Sequence, residues 1–414
     1  MTLPANISVS FDFSSGATFG YPFTIGSEKY GVIGVSQLAG NEPPDPVYDL
    51  SDMTYQITIE RGRNIQQDTY QAGTAVVRVL DPNSWFNPQN TNSPFFGYLK
   101  PLRKLRVAAT TGTGQHFLFS GYTTEYRYHY PVGQETAYCD IYCADAFRLF
   151  QLAQVTTVTG ATAGQSTGTR IGKILDEVSF PTNMRTLDTG DSLCQADPGT
   201  LRTSLGALKN VEFSEQGAFY IDANGTAIFK SRHNVQKAIA GTPIEFNQTG
   251  GIPYANLVFA FDDKLIINQA EMTRVGGVAQ YAENTASVAT YFPHQYSVQD
   301  LVIDTDANAL NIARTYVATR EATSIRIDQM RLNLLDPAVP TDTIIGLDYF
   351  DVCSITNIQP DGSTIHKTLE VQGLKWEITP NSMFCTVTTL ESPTDGFIIG
   401  SAERGIIGVS AMTY

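Results

Sequence analysis

Short runs in which apolar and polar residues alternate dominate the chain. In Tyr55-Gln-Ile57-Thr-Ile59-Glu, the residues Tyr55, Ile57 and Ile59 fall on one side of an extended strand and the polar residues on the other. Val77 and Val79 repeat this before Asp81-Pro-Asn-Ser, and Leu105, Val107 and Ala109 before Thr-Gly-Thr-Gly. Phe117–Phe119, Tyr126–Tyr130 and Ala137–Ile141 follow. Short strands at this spacing, separated by turn residues, predict a sandwich or small barrel over residues 50–143.

The period then changes. Phe147, Phe150 and Ala153 predict a short helix, and Ile171, Ile174, Leu175 and Val178 a second one capped by Thr169. Leu201, Leu205 and Leu208 predict a third, with Pro198 in its first turn. Asn224-Gly225 between Phe219–Ile221 and Ile228-Phe229 is a hairpin signal, because both turn residues tolerate positive φ. This α/β segment is placed at 144–243. Strand patterns return at Leu257–Phe259, Lys264–Ile267, Val278–Tyr281, Ile325–Ile327, Asp351–Ile355, Leu369–Val371, Trp376–Ile378 and Phe384–Val387. They are interrupted by one helix with Leu310, Ala313 and Val317 on a stripe. The expectation is a mainly β chain: two β-barrel or sandwich domains, 50–143 and 244–391, around a small α/β insert.

Residues 1–49 and 392–414 read as arms, and they share a repeat. Ile25-Gly-Ser-Glu-Lys-Tyr-Gly-Val-Ile-Gly-Val-Ser36 matches Ile399-Gly-Ser-Ala-Glu-Arg-Gly-Ile-Ile-Gly-Val-Ser410 at eight of twelve positions. The identities include Ile25/Ile399, Gly26/Gly400, Gly31/Gly405, Ile33/Ile407, Gly34/Gly408 and Val35/Val409. Three glycines in twelve residues give little intrinsic strand stability, so such segments order against a host surface. They are predicted to be docking arms outside either core, the alternative being ordinary edge hairpins of their own barrels.

Composition narrows the function. Charged residues make up 16% of the chain, against roughly 25% in typical soluble domains, as suits a surface covered in an assembly. The net charge of −14 argues against nucleic-acid binding, which needs a basic footprint, while leaving room for a wall past which DNA slides. Between Glu60 and Arg106 the balance reverses. Arg61, Arg63, Arg78, Lys100, Arg103, Lys104 and Arg106 stand against Glu60, Asp68 and Asp81. This stretch reads either as a solvated strand face or as a contact for an acidic neighbour.

Five scattered cysteines without a CxxC read as buried thiols. Asp304-Thr-Asp306-Ala-Asn308 imitates a calcium loop, but Ala309 replaces the required Gly and Thr315 the terminal Glu. A helix N-terminus explains its acids better. The five histidines form no ligand spacing, and Asp262-Asp263 point to opposite sides of a strand, a poor acid/base pair. No catalytic residue, cofactor or metal is expected. The start of the chain shows no secretory pattern and no apolar run reaches membrane-spanning length, so the expectation is folding in a cytoplasm without membrane insertion.

One ordered set of segments is more specific. Arg61-Gly-Arg63-Asn, Gln71–Val77, Phe86-Asn-Pro88 through Pro94-Phe-Phe-Gly97, Pro101-Leu-Arg103, Phe119-Ser-Gly121, Ala144–Phe147 and Glu215–Gly225 follow one another. Together they resemble minor tail and tail-tip (baseplate) hub proteins of long-tailed, non-contractile bacteriophages. The later β region, with Asn256 in its opening strand, looks like the second barrel of such hubs. The resemblance implies a non-enzymatic homotrimer that closes the distal end of the virion's tail tube around the DNA exit channel. The distal tail protein or tube ring, the tape-measure C-terminus and distal tip or fibre proteins would be its neighbours, with DNA only in transit. Ile25, Gly26, Gly31, Ile33, Gly34, Val35, Arg61, Arg63, Arg103, Lys104, Arg106, Ile399, Gly400, Gly405, Ile407, Gly408 and Val409 are the interface candidates. A hexameric distal tail ring protein and a host-surface carbohydrate adhesin are the alternatives.

Overall fold

The computed structural model describes residues 3–19, 47–65, 67–131, 136–238 and 241–391. Both repeat segments lie outside them, and with them the interface candidates between Ile25 and Val35 and between Ile399 and Val409.

The chain is mainly β. Its first region contains β1 (Asn6–Asp12), β2 (Val47–Asp49), β3 (Thr54–Asn64), β4 (Thr69–Tyr70), β5 (Thr74–Leu80), β6 (Lys104–Thr110), β7 (Gln115–His129) and β8 (Tyr138–Ala144). The middle region runs α1 (Phe147–Leu152), β9 (Gln154–Val155), β10 (Gln165–Ser166), α2 (Thr167–Glu177), β11 (Arg185–Leu187), β12 (Leu193–Cys194), β13 (Arg202–Thr203), α3 (Ser204–Glu215), β14 (Ala218–Ile221), β15 (Ala227–Lys230) and α4 (Arg232–Ala238). The last region holds β16 (Ile244–Asn247), β17 (Asn256–Ala260), β18 (Gln269–Arg274), β19 (Gln280–Glu283), α5 (Thr285–Tyr291), β20 (Gln295–Leu301), α6 (Asp306–Thr319), β21 (Arg326–Asn333), α7 (Thr341–Ile345), β22 (Val352–Ile358), β23 (Thr364–Thr379) and β24 (Ser382–Leu390).

The two β regions are fused. One sheet runs β17-β21-β24-β23-β3-β5-β8-β7-β6-β1-β2, with β22 and β16 branching from β23. The weld is the antiparallel pairing of β23 with β3, from Gly373↔Gly62 to Ile378↔Ile57. The strands come this close because neither residue at the crossing has a side chain. A Cβ on Gly62 would stand 3.0 Å from Gly373 Cα. One apolar core runs beneath the weld from Val9 to Val387, and Trp376, paired with Ile59, is its largest fully buried side chain.

The β3 pattern holds for Ile57 and Ile59, which are buried, but Tyr55 is 51% exposed. The register with β5 slips between Thr54 and Gln56, and a bulge of this kind turns the extra residue off its expected face. The third helix starts at Ser204, later than Leu201 and Pro198 implied. Thr203 accepts from Gly206 N–H at 3.1 Å and Arg202-Thr203 pair with β9, which leaves Leu201 on the surface. In α2 the cap is Ser166, whose hydroxyl accepts from Thr169 N–H. The hairpin β14–β15 is as expected, with Gly225 at φ +87°.

The chain also leaves the large sheet between β17 and β21. A small sheet, β19-β18-β20, packs with α6 around Ala270, Met272, Leu301, Ile312 and Ala313. Lys264–Ile267 is turn and coil; the strand lies later, at β18. On α6, Ala309, Ile312, Ala313, Tyr316 and Val317 are buried, whereas Leu310 is only partly so. All five cysteines are buried and free.

Candidate assembly site

The basic stretch is resolved mainly inside the chain. Arg61 continues the inward face of Ile57 and Ile59 along β3, is 4% exposed and pairs with Asp348 at 3.3 Å, its guanidinium 5.2 Å from the Tyr349 ring centre. Arg78 grips Asp140 across the β5–β8 pair with two hydrogen bonds of 2.7 and 2.9 Å, the bidentate geometry that makes such pairs strong. Lys104, 3% exposed, donates to Thr18 O at 2.7 Å and lies 3.5 Å from Asp12. Burial lowers the Lys104 ammonium, with Arg106 and Arg103 adding to the effect, while Asp12 opposes it. Arg106 lies between the Phe19 and Phe117 rings at 4.5 and 4.8 Å. Arg103 is half-buried next to Thr123, and Lys100 is exposed. Neither a uniformly solvated face nor a single basic docking patch describes this stretch.

Arg63 takes part in a node that ties the first β region to α6. Asp68 binds Arg63, pairs with Arg320 at 2.9 Å and accepts from the Tyr316 hydroxyl at 2.5 Å. Burial acts to raise the Asp68 carboxyl, but Arg63, Arg320 and the Tyr316 hydroxyl outweigh it and hold the group well below the usual carboxylate range. Tyr316 in turn stacks on Tyr296 and Phe213, linking β20 and α3 to the same point. A cavity of about 80 Å³ lies beside the node, room for a few waters. The sequence reading missed Asp68, Tyr316 and Arg320 as a group. The available signal was Arg61 and Arg63 extending the inward face of β3, because buried arginine requires a partner.

A larger concavity, about 570 Å³, opens on the outer face of the large sheet where the two β regions meet. Its lining comes from β17, β21, β24, β23 and β3, among them Gln329, Thr386, Thr388 and Lys375. Two of its cations share one carboxylate, Arg331 at 3.0 Å and Lys375 at 3.3 Å from Glu377, Glu60 lies beside them, and Arg61 and Arg63 at its edge pair with Asp348 and Asp68. This gives a wide, polar wall whose cations are held in ion pairs.

The suspected chemical motifs are structural. Asp306 pairs with Arg274 at 2.7 Å and Asp304 accepts from Asn308 Nδ2, while Thr305 caps α6. Asp262 pairs with Arg326 at 3.0 Å and Lys264 at 3.3 Å. Among the described residues, no group of three or more His, Cys, Asp or Glu side chains could hold a metal ion, and no helix is long and apolar enough to cross a membrane.

No protein-family model matches the chain, and no curated protein matches it in sequence. Solved structures do resemble it. The tail protein from Neisseria meningitidis MC58 aligns over 94% of this chain and 96% of its own, with a TM-score of 0.56 and 9% identity. The 43 kDa tail protein of prophage MuSo2 from Shewanella oneidensis aligns over 84% of this chain and 95% of its own, with a TM-score of 0.54 and 10% identity. At such identities the likeness is one of architecture, and it spans most of this chain and nearly the whole of each of the others: the chain has the fold of these tail proteins.

Proposed function

We propose that the chain is a structural, non-catalytic subunit of a bacteriophage tail, working as a three-fold hub ring at the distal end of the tail tube. The observation that carries this reading is the near end-to-end fold match to the Neisseria tail protein, 94% of one chain against 96% of the other. The fused sheet supports it, because two β regions welded through β3 and β23 form one rigid wall segment. The polar face supports it as well: cations already held in ion pairs give passing DNA less to gain from counterion release. The distal tail or tube ring, the tape-measure C-terminus and tip or fibre proteins are its proposed neighbours.

Electron microscopy of the purified protein and of particles labelled on it tests the proposal. Three-fold rings at the far end of the tail are expected. Six-subunit rings would assign the chain to the distal tail ring type, and particles without label would overturn the reading. Glycan binding by the isolated protein would favour the adhesin alternative.

A further inference from the structure

Between α5 and β20 the chain turns at Tyr291-Phe-Pro-His294, and its backbone there is strained. Phe292 has φ +63° and ψ 170°, a combination that glycine adopts and residues with side chains avoid. A buried asparagine holds it. Asn268, fully buried, donates from Nδ2 to Phe292 O at 2.8 Å and accepts His294 N–H on Oδ1 at 2.8 Å. One amide therefore grips the turn on both sides of Pro293. Phe292 N–H is fixed as well, donating to Val288 O at 3.0 Å. What this order presents to solvent is a single ring: Phe292 is 81% exposed, the most exposed large apolar side chain among the described residues. In water a phenyl ring gains nothing from being held this way. In a protein contact it does, because a preorganised aromatic anchor loses little entropy on docking.

The same layer carries a matching recess at its other end. β18 and β20 run parallel from the turn. Val275 and Val302, just past their far ends, line a cleft of about 390 Å³ against α2 and α3. Ile174, Leu201, Ala207 and Val211 complete its apolar walls, and Leu201 is 68% exposed. Asp197 and Arg202, also on the cleft, pair with each other at 2.5 Å. About 150 Å³ is enough to hold a benzene ring, so the cleft admits a phenylalanine side chain. The seven residues of β20 span about 20 Å, which keeps Phe292 away from the cleft of its own chain. A projecting ring and a recess at opposite ends of one layer suit a head-to-tail contact, the kind that closes into a ring when the rotation allows.

We infer that Phe292 of one copy seats in the Leu201–Val302 cleft of the next copy. The inference rests on the ring reading above and names a contact between its subunits.

Cross-linking of the full chain tests it. The five cysteines are buried, so introduced surface thiols react selectively. Ala289→Cys together with Thr200→Cys places thiols beside the ring and the cleft, at exposed positions, and leaves Phe292 and Leu201 in place. A bismaleimide too short to join the two within one chain should give covalent dimers and trimers on a denaturing gel. Each single variant should stay monomeric, and adding Phe292→Asp to the pair should abolish the links. Links formed by Ala289→Cys alone would mean that like meets like, and no links at all would leave the cleft unfilled; either result overturns the inference. By sedimentation, Phe292→Asp should weaken self-association about 100-fold with an unaltered circular dichroism spectrum, and unchanged association would overturn the contact. The ring reading fails separately. A covalent ladder that continues past trimers keeps the contact and removes the three-fold ring, whereas three-fold rings that persist in Phe292→Asp keep the ring and remove the contact.

Discussion

Two joints hold this chain together, and they are built on opposite principles. At the β3–β23 weld, main-chain hydrogen bonds continue one sheet across residues some 300 positions apart, and Trp376 fills the core beneath. At the Asp68 node, the first and last regions meet through buried charges, Arg63 and Arg320 on one carboxylate, and Phe213 of the middle region joins through the ring stack beside it. The weld gains from apolar burial, which is non-directional and tolerant of small shifts. The node offsets a large desolvation cost only while every member is present. The first joint should therefore lose stability in proportion to what is removed, and the second should fail when a single partner is lost.

The largest effect is expected from Trp376→Ala, which leaves a cavity under the weld and should cost about 3–5 kcal/mol in urea unfolding monitored by circular dichroism. Asp68→Ala should cost about 3 kcal/mol, because two guanidinium groups remain buried without their acceptor. If the joints differ as described, Asp68→Ala combined with Arg63→Met and Arg320→Met should recover much of that loss, whereas no second substitution near Trp376 beyond refilling the cavity should do so. Failure of the triple variant to recover would erase the distinction. Gly62→Val should cost about 1–3 kcal/mol by overpacking against Gly373 Cα, with Gly62→Ala in the same direction but smaller.

Protonation sharpens the comparison with the smallest changes. The folded-state pKa of Asp68 lies below its unfolded value, so its contribution is present above about pH 4 and is lost as the pH falls. Asp145, at the α1 end of β8, behaves in the opposite sense. Its two oxygens accept from Gly73 N–H at 2.6 Å and Phe147 N–H at 2.9 Å, but burial outweighs these bonds and pushes the carboxyl up to about 7. A raised carboxyl pKa contributes stability that is complete below its unfolded value and disappears as the pH rises through about 7. Thermal unfolding between pH 4 and 8 should show this loss, and Asp145→Asn should remove that part of the profile. The substitution should itself cost about 1 kcal/mol for the acceptor taken from Gly73. An unchanged pH profile in Asp145→Asn would show that other groups set it.

By itself the sequence determined what a few neighbouring residues can encode. The alternation through Ile57 and Ile59 set the buried side of β3, Asn224-Gly225 set the hairpin turn, and the spacing of Ile171, Ile174 and Leu175 set the inner face of α2. The ordered motifs from Arg61 to Gly225 also pointed to the tail-protein architecture that the fold comparison displays. Tertiary structure decided the rest. Arg61 finds Asp348 across 287 positions, β3 finds β23, and residues between β17 and β21 leave the large sheet for a layer of their own. The basic excess read from Arg61 to Arg106 faded because most of its acidic partners lie elsewhere in the chain, at Asp12, Asp140 and Asp348. The reason is one of range. Periodicity and turn chemistry act over a handful of residues, whereas strand order and the pairing of buried charges depend on which distant segments close against each other, and no local pattern specifies that.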